Sequence, residues 1–156
     1  MTANGLKANL GQKIALARLR KGLSWEDIAN AIGKDPVWTV SALLGQHPVP
    51  ADIAAKVIDL LDINSPDAAL ILTSQPYRGG DDDMAKDPTI YRFYEALSVY
   101  GPALKELIHE EFGDGIMSAI NFQVDLKRRP DPSGDRVVVT FDGKFLDYAW
   151  NHSKEK

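Results

Sequence analysis

The sequence predicts an α+β chain, with a helical half followed by a half that combines a helix with β-strands. Three observations predict it. Up to residue 73, apolar residues recur at helical spacing between cap and stop signals. Residues 74–87, SQPYRGGDDDMAKD, then break the composition with Pro, paired Gly and three successive Asp. After Gly115 the apolar period falls from about 3.6 to about 2.

The first half reads as four helices and a short fifth. Leu6, Leu10, Ile14, Ala17 and Lys21 share one face of the first, and Gly22 is its stop. Ser24, with Asp27 three residues on, is a capping box for a second helix that ends near Gly33. Asp35-Pro36 caps and starts a third, Val37 to Leu44, which stops at Gly45. Pro48-Val49-Pro50 is a rigid connection to a fourth helix, Ala51 to Leu61. Ser65-Pro66 repeats the cap-then-Pro signal before a fifth, Asp67 to Thr73.

The break at 74–87 reads as an exposed linker. Its Asp81–Asp83 run reads as a solvated loop, because the alternating spacing of a calcium loop is missing. The implied domains are 1–80 and 86–156. Asp87-Pro88 starts a further helix, which Gly101-Pro102 should interrupt and Gly113 should end. Ile116, Ser118, Ile120, Phe122, Val124 and Leu126 then alternate with more polar neighbours as one strand. Asp131-Pro132-Ser133-Gly134 is a turn, and Val137 to Phe141 is a second strand. Asp142-Gly143 predicts a tight hairpin to Phe145-Leu146.

Composition excludes several chemistries. The 156 residues contain no Cys, which removes disulfides, thiolate metal sites and a Cys nucleophile. His47, His109 and His152 lack metal-ligand spacing, so no zinc site is expected. No apolar run reaches the roughly 18–20 residues of a membrane span. The N-terminal MTANGLKANLGQKIA lacks the apolar core of a secretory signal, so the expected location is the cytoplasm.

The second and third helices resemble a repressor-type helix-turn-helix, which makes a DNA-binding regulator the rival function. The third helix, PVWTVSALL, argues against it: it carries no cation and no amide, and base reading needs such groups. The whole chain is acidic, with a formal charge of −4. A packing or assembly module suits this half better, and no nucleic acid is expected as partner.

Two features are candidates for chemistry. Arg92 and Glu95 lie three apart on one helix face, among Tyr91, Phe93 and Tyr94. They are either a surface ion pair or a buried, preorganised anion site. Ser118 stands in the apolar phase of its strand, so its hydroxyl must bond something, either backbone or a small ligand. Gly113-Asp114-Gly115 before it offers close approach and a run of backbone N–H groups. Asn121 is a weaker donor candidate, and His109 reads as a helix-surface residue.

The segments DPTIYRFYEAL (Asp87–Leu97) and GDGIMSAINF (Gly113–Phe122) closely resemble the signatures of the cyanases, also called cyanate hydratases or cyanate lyases. LLGQ at Leu43–Gln46 and HEEFGDGI at His109–Ile116 are similar too, and the likeness extends to about Phe145. The resemblance implies bicarbonate-dependent decomposition of cyanate to ammonia and carbon dioxide through carbamate, with no cofactor and no metal. It implies catalytic residues Arg92, Glu95 and Ser118. It further implies a homodecamer, a pentamer of dimers, whose C-terminal domains interlock and whose active sites lie between subunits. Domain 86–156 is then the catalytic dimerisation domain.

Overall fold

The computed structural model describes residues 3–77 and 82–148. The chain divides into two compact units, residues 1–79 and 80–156. The fold is α+β: six α-helices and one two-stranded antiparallel sheet among the described residues. None of these helices is long and apolar enough to cross a membrane.

The first unit holds α1 (Ala3–Arg20), α2 (Trp25–Ile32), α3 (Pro36–Leu43), α4 (Ala51–Leu60) and α5 (Ala68–Thr73). Its boundaries follow cap chemistry. Ser24 Oγ accepts the Asp27 N–H at 3.0 Å, and the Asp27 carboxylate accepts the Ser24 N–H at 2.7 Å. Asp35 Oδ1 accepts the Val37 and Trp38 N–H groups ahead of α3. Gly33 ends α2 at φ +67°, a left-handed conformation that glycine adopts without strain. The fifth helix differs from expectation. It begins at Ala68, and Asp67 precedes it with no side-chain cap.

Ile14, Ile28, Leu43, Val57 and Leu61 are fully buried and form the centre of this unit. Each contributes about 1.5–3 kcal/mol by leaving water. Lys7 is the exception among them. Its Nζ donates to the Leu72 carbonyl at 3.2 Å, and burial pushes its ammonium below the usual lysine range. The helix–turn–helix order of α2 and α3 is present, but α3 offers little to a groove. Thr39 is buried, and Ser41 Oγ is hydrogen-bonded to His47 Nε2 at 2.9 Å.

The second unit holds a 3₁₀ helix (Asp82–Lys86), α6 (Pro88–Phe112), β1 (Gly115–Arg129) and β2 (Arg136–Asp147). Asp83 is exposed and pairs with Lys86, within a 3₁₀ turn where a loop was expected. Asp81 and the tail 149–156 lie outside the described residues. Asp87 Oδ1 caps α6 by accepting the Thr89 and Ile90 N–H groups.

Three expectations for this unit are corrected. First, α6 runs unbroken through Gly101-Pro102. Proline crowds the Cβ of the residue before it, and glycine has none, so this pair stays helical, at the cost of one ladder hydrogen bond and of crowding between the Pro102 ring and the Ser98 carbonyl. Second, Asp142-Gly143 is not a turn. The strands pair from Gly115↔Asp147 to Arg129↔Arg136, and the hairpin loop is 130–135. There Asp131 accepts the Ser133 N–H and hydroxyl, which holds its carboxyl below the usual carboxylate range. Third, the alternation of β1 does not run through. Register shifts between Met117 and Phe122, where residues 118–121 face Lys144 alone, and Ile120 is 97% exposed.

No residue of α6 is buried. Phe93, Leu97, Tyr100, Leu104, Leu107 and Phe112 all remain exposed. The buried apolar side chains of the described chain fall between Leu10 and Leu72, all within the first unit.

The Asp27 cap gives a pH dependence. Bonds from the Ser24 backbone N–H and hydroxyl hold its carboxyl below the usual carboxylate range. A carboxyl depressed by folding adds stability above its unfolded pKa and loses it as pH falls through its folded value. Asp27→Ala is therefore expected to lower the thermal midpoint at pH 7, with Trp25 and Trp38 fluorescence as the probe. The gap to the unmodified chain should close in acid, below the ordinary carboxylate range.

Candidate active site

Arg92 and Glu95 sit in the second turn and a half of α6, where a spacing of three puts both on one face. Arg92 Nε lies 3.7 Å from Glu95 Oε2, an ion pair beyond hydrogen-bond length. The guanidinium also lies over the Tyr91 ring, 5.8 Å from its centroid. Of the two readings of this pair, the single chain shows the surface ion pair. The two side chains are 66% and 54% exposed, because the aromatic face of α6 is itself uncovered.

Ser118 is placed differently. It is 5% exposed, and the strand irregularity is built around it. Its Oγ accepts the N–H groups of Ile120 and Asn121, both at 3.0 Å. This is a local side-chain-to-backbone motif, and it supplies the partners that a β ladder would otherwise provide. Both acceptor positions of the oxygen are then occupied, so the hydroxyl proton is what Ser118 has left to give.

The two features are not joined by a hydrogen bond or ion pair. Arg92 and Glu95 pair with each other, and Ser118 with backbone. A groove of about 510 Å³ between α6 and the sheet is lined by Leu97, Leu104, Ile108, Met117 and Phe141, and holds none of the three. Beside the irregularity, Asn121, Gln123, Asp142 and Lys144 line a more polar depression. Asn121 thus has its backbone N–H on Ser118 and its residue at that depression.

The expected run of free N–H groups at 113–115 is partly spent. The Gly113 N–H donates to the His109 carbonyl at 3.0 Å, and the Asp114 carbonyl accepts the Tyr148 N–H at 3.1 Å. His109 Nε2 stands 4.0 Å from Asp114 Oδ1 at the end of α6. Among the described residues, no group of three or more His, Asp or Glu is arranged to hold a metal ion.

Sequence reasoning missed the irregular segment 118–121 and the glycine opposite it. One signal was present. A strand of eleven residues from Ile116 to Leu126 outruns a second strand of five, which favours a β2 that continues past Gly143.

The comparisons are extensive. Residues 7–76 match the family described as "Cyanate hydratase, N-terminal", and residues 82–150 match "Cyanate lyase C-terminal domain". A cyanate hydratase of Mycobacterium avium is 58% identical over 147 residues, covering 94% of each chain. One from Mycolicibacterium vanbaalenii is 62% identical over 139 residues, covering 88% of this chain and 90% of the relative. One from Pseudomonas putida is 48% identical and covers 92% and 99%. The crystal structure of cyanase from T. urticae superposes with a TM-score of 0.78 at 41% identity, covering 86% and 94%.

The Ser118 geometry is directly testable. The Ile120 and Asn121 amide hydrogens should exchange slowly in the unmodified protein and faster in Ser118→Ala, as read by mass spectrometry. Unchanged exchange would mean that the hydroxyl does not hold this segment.

Proposed function

This chain belongs to the cyanate hydratase family, the cyanate lyases or cyanases, and from that membership we propose its reaction and its site. Cyanate and bicarbonate combine, with one proton, to give carbamate and carbon dioxide. Carbamate then takes a second proton and falls apart to ammonia and a second carbon dioxide. The observation that carries this site is the hydroxyl of Ser118, buried and saturated as an acceptor, so that it can only donate to an anion.

Two like-charged reactants repel, and more strongly as water is excluded. The site therefore needs fixed positive charge and donors. Arg92 supplies the charge, and its guanidinium fork holds the anions and the more highly charged transition state. Glu95, on the same face, orients that guanidinium. Ser118 Oγ fixes the direction of a linear triatomic anion. Electrostatic preorganisation and proximity are the dominant contributions. The charge comes from a side chain, so the reading calls for no metal and no organic cofactor.

The site is completed between protomers. One helix and two strands cannot enclose a core, and an uncovered apolar face of this extent marks an interface. This supports a homo-oligomer whose C-terminal domains, 86–156, interlock as dimers and gather into a decamer. Domain 1–80 is then a packing module without nucleic-acid or membrane partners, and the cytoplasm is the expected location.

The test is ammonia release from cyanate with and without bicarbonate. Release that requires both supports the reading. An assembled protein that releases none would be a scaffold, and a gel shift at physiological salt would reveal a DNA-binding regulator. Arg92→Leu should abolish turnover and leave assembly intact. Near-normal turnover would remove Arg92 from the mechanism. Ser118→Ala is expected to lose about 10²-fold or more, as for one preorganised donor. A change under about threefold would return Ser118 to a structural role.

A further inference from the structure

We infer that Gly143, on the strand opposite Ser118, is a positioning residue of the reaction. The inference rests on the proposal that Ser118 is catalytic. Gly143 is the β2 partner of Phe122, at the edge of the register shift that places residues 118–121 against Lys144 alone. A methyl group built on Gly143 would stand 2.5 Å from the Ser118 carbonyl oxygen and 3.1 Å from Met117 Sδ, and closer still to Met117 Cγ. The first is backbone, which real side-chain carbons do not approach so closely, so the Ser118 main chain would have to move. The backbone of Gly143 is not in the left-handed region, so nothing but this contact asks for glycine.

Three residues before Ser118, in the regular register outside the shift, a second glycine is as closely approached. A methyl group on Gly115 would collide with the Leu146 carbonyl and the Phe145 ring. The four residues that carry the catalytic hydroxyl are therefore seated between two strand positions where the opposing chain is too close for a side chain. Gly143 is the one that touches the Ser118 residue itself. Its hydrogen atom leaves the Ser118 carbonyl in place, and that fixes the Oγ whose acceptor positions hold Ile120 and Asn121. Small displacements of a preorganised donor are expensive in rate.

The experiment compares full-length Gly143→Ala with Ser118→Ala. Gly143→Ala is expected to assemble like the unmodified protein, to lose at least tenfold in kcat, and to change KM for cyanate by less than about threefold. Its 118–121 segment should exchange amide hydrogens faster, which a general loss of packing would not confine to this segment. If Gly143→Ala fails to assemble, Met117→Ala/Gly143→Ala removes the side-chain collision and keeps the one with the Ser118 carbonyl. That double variant is expected to assemble and show the same losses.

Normal kcat and normal exchange in an assembled variant would overturn the inference, as would failure of both variants to assemble. Ser118→Ala separates the two layers. Full activity there would defeat the assignment of Ser118, whereas an inactive Ser118→Ala beside a fully active Gly143→Ala would defeat only the role of Gly143.

Discussion

A helix of 25 residues with no buried side chain is the constraint from which the second unit takes its character. Its aromatic and aliphatic side chains are enough for a core, yet one two-stranded sheet cannot cover them. The first unit shows the contrast. Five helices there, α2 and α3 started by side-chain caps, bury Ile14, Ile28 and Val57 completely. The first unit is self-sufficient in hydrophobic burial, and the second is not.

Within that unit the two halves of the proposed site are held by different physics. Arg92 and Glu95 depend on helix periodicity, which sets them on one face at any level of exposure. Ser118 depends on a local departure from strand periodicity, sustained by its own hydroxyl and by a missing side chain across the ladder. The first arrangement tolerates solvent; in the second the hydroxyl is buried and hydrogen-bonded already in the single chain. A charged clamp that needs neighbours to dry it thus accompanies a neutral donor that needs none.

Much of this was legible in the residues. The caps at Ser24, Asp35 and Asp87 carry their chemistry in adjacent positions, so the starts of α2, α3 and α6 could be read directly. The long signature segments around Arg92 and Ser118 pointed to the family. What escaped was non-local. Gly101-Pro102 looks like a break, yet glycine relieves one of the proline's clashes and the helix carries the other. Asp142-Gly143 looks like a turn unless one knows what lies opposite it. The choice between an exposed and a buried Arg92 could not be read either, because local crowding by aromatics says nothing about which chain covers them.

The uncovered helix has a consequence for how such a protein behaves in dilute solution. On the proposed reading, burial of that face and completion of the anion site are the same event. Catalytic competence is then linked by mass action to protomer concentration. Dissociation would silence the protein without any chain unfolding its helical half, and substrate anions bound between protomers would hold the assembly together against it.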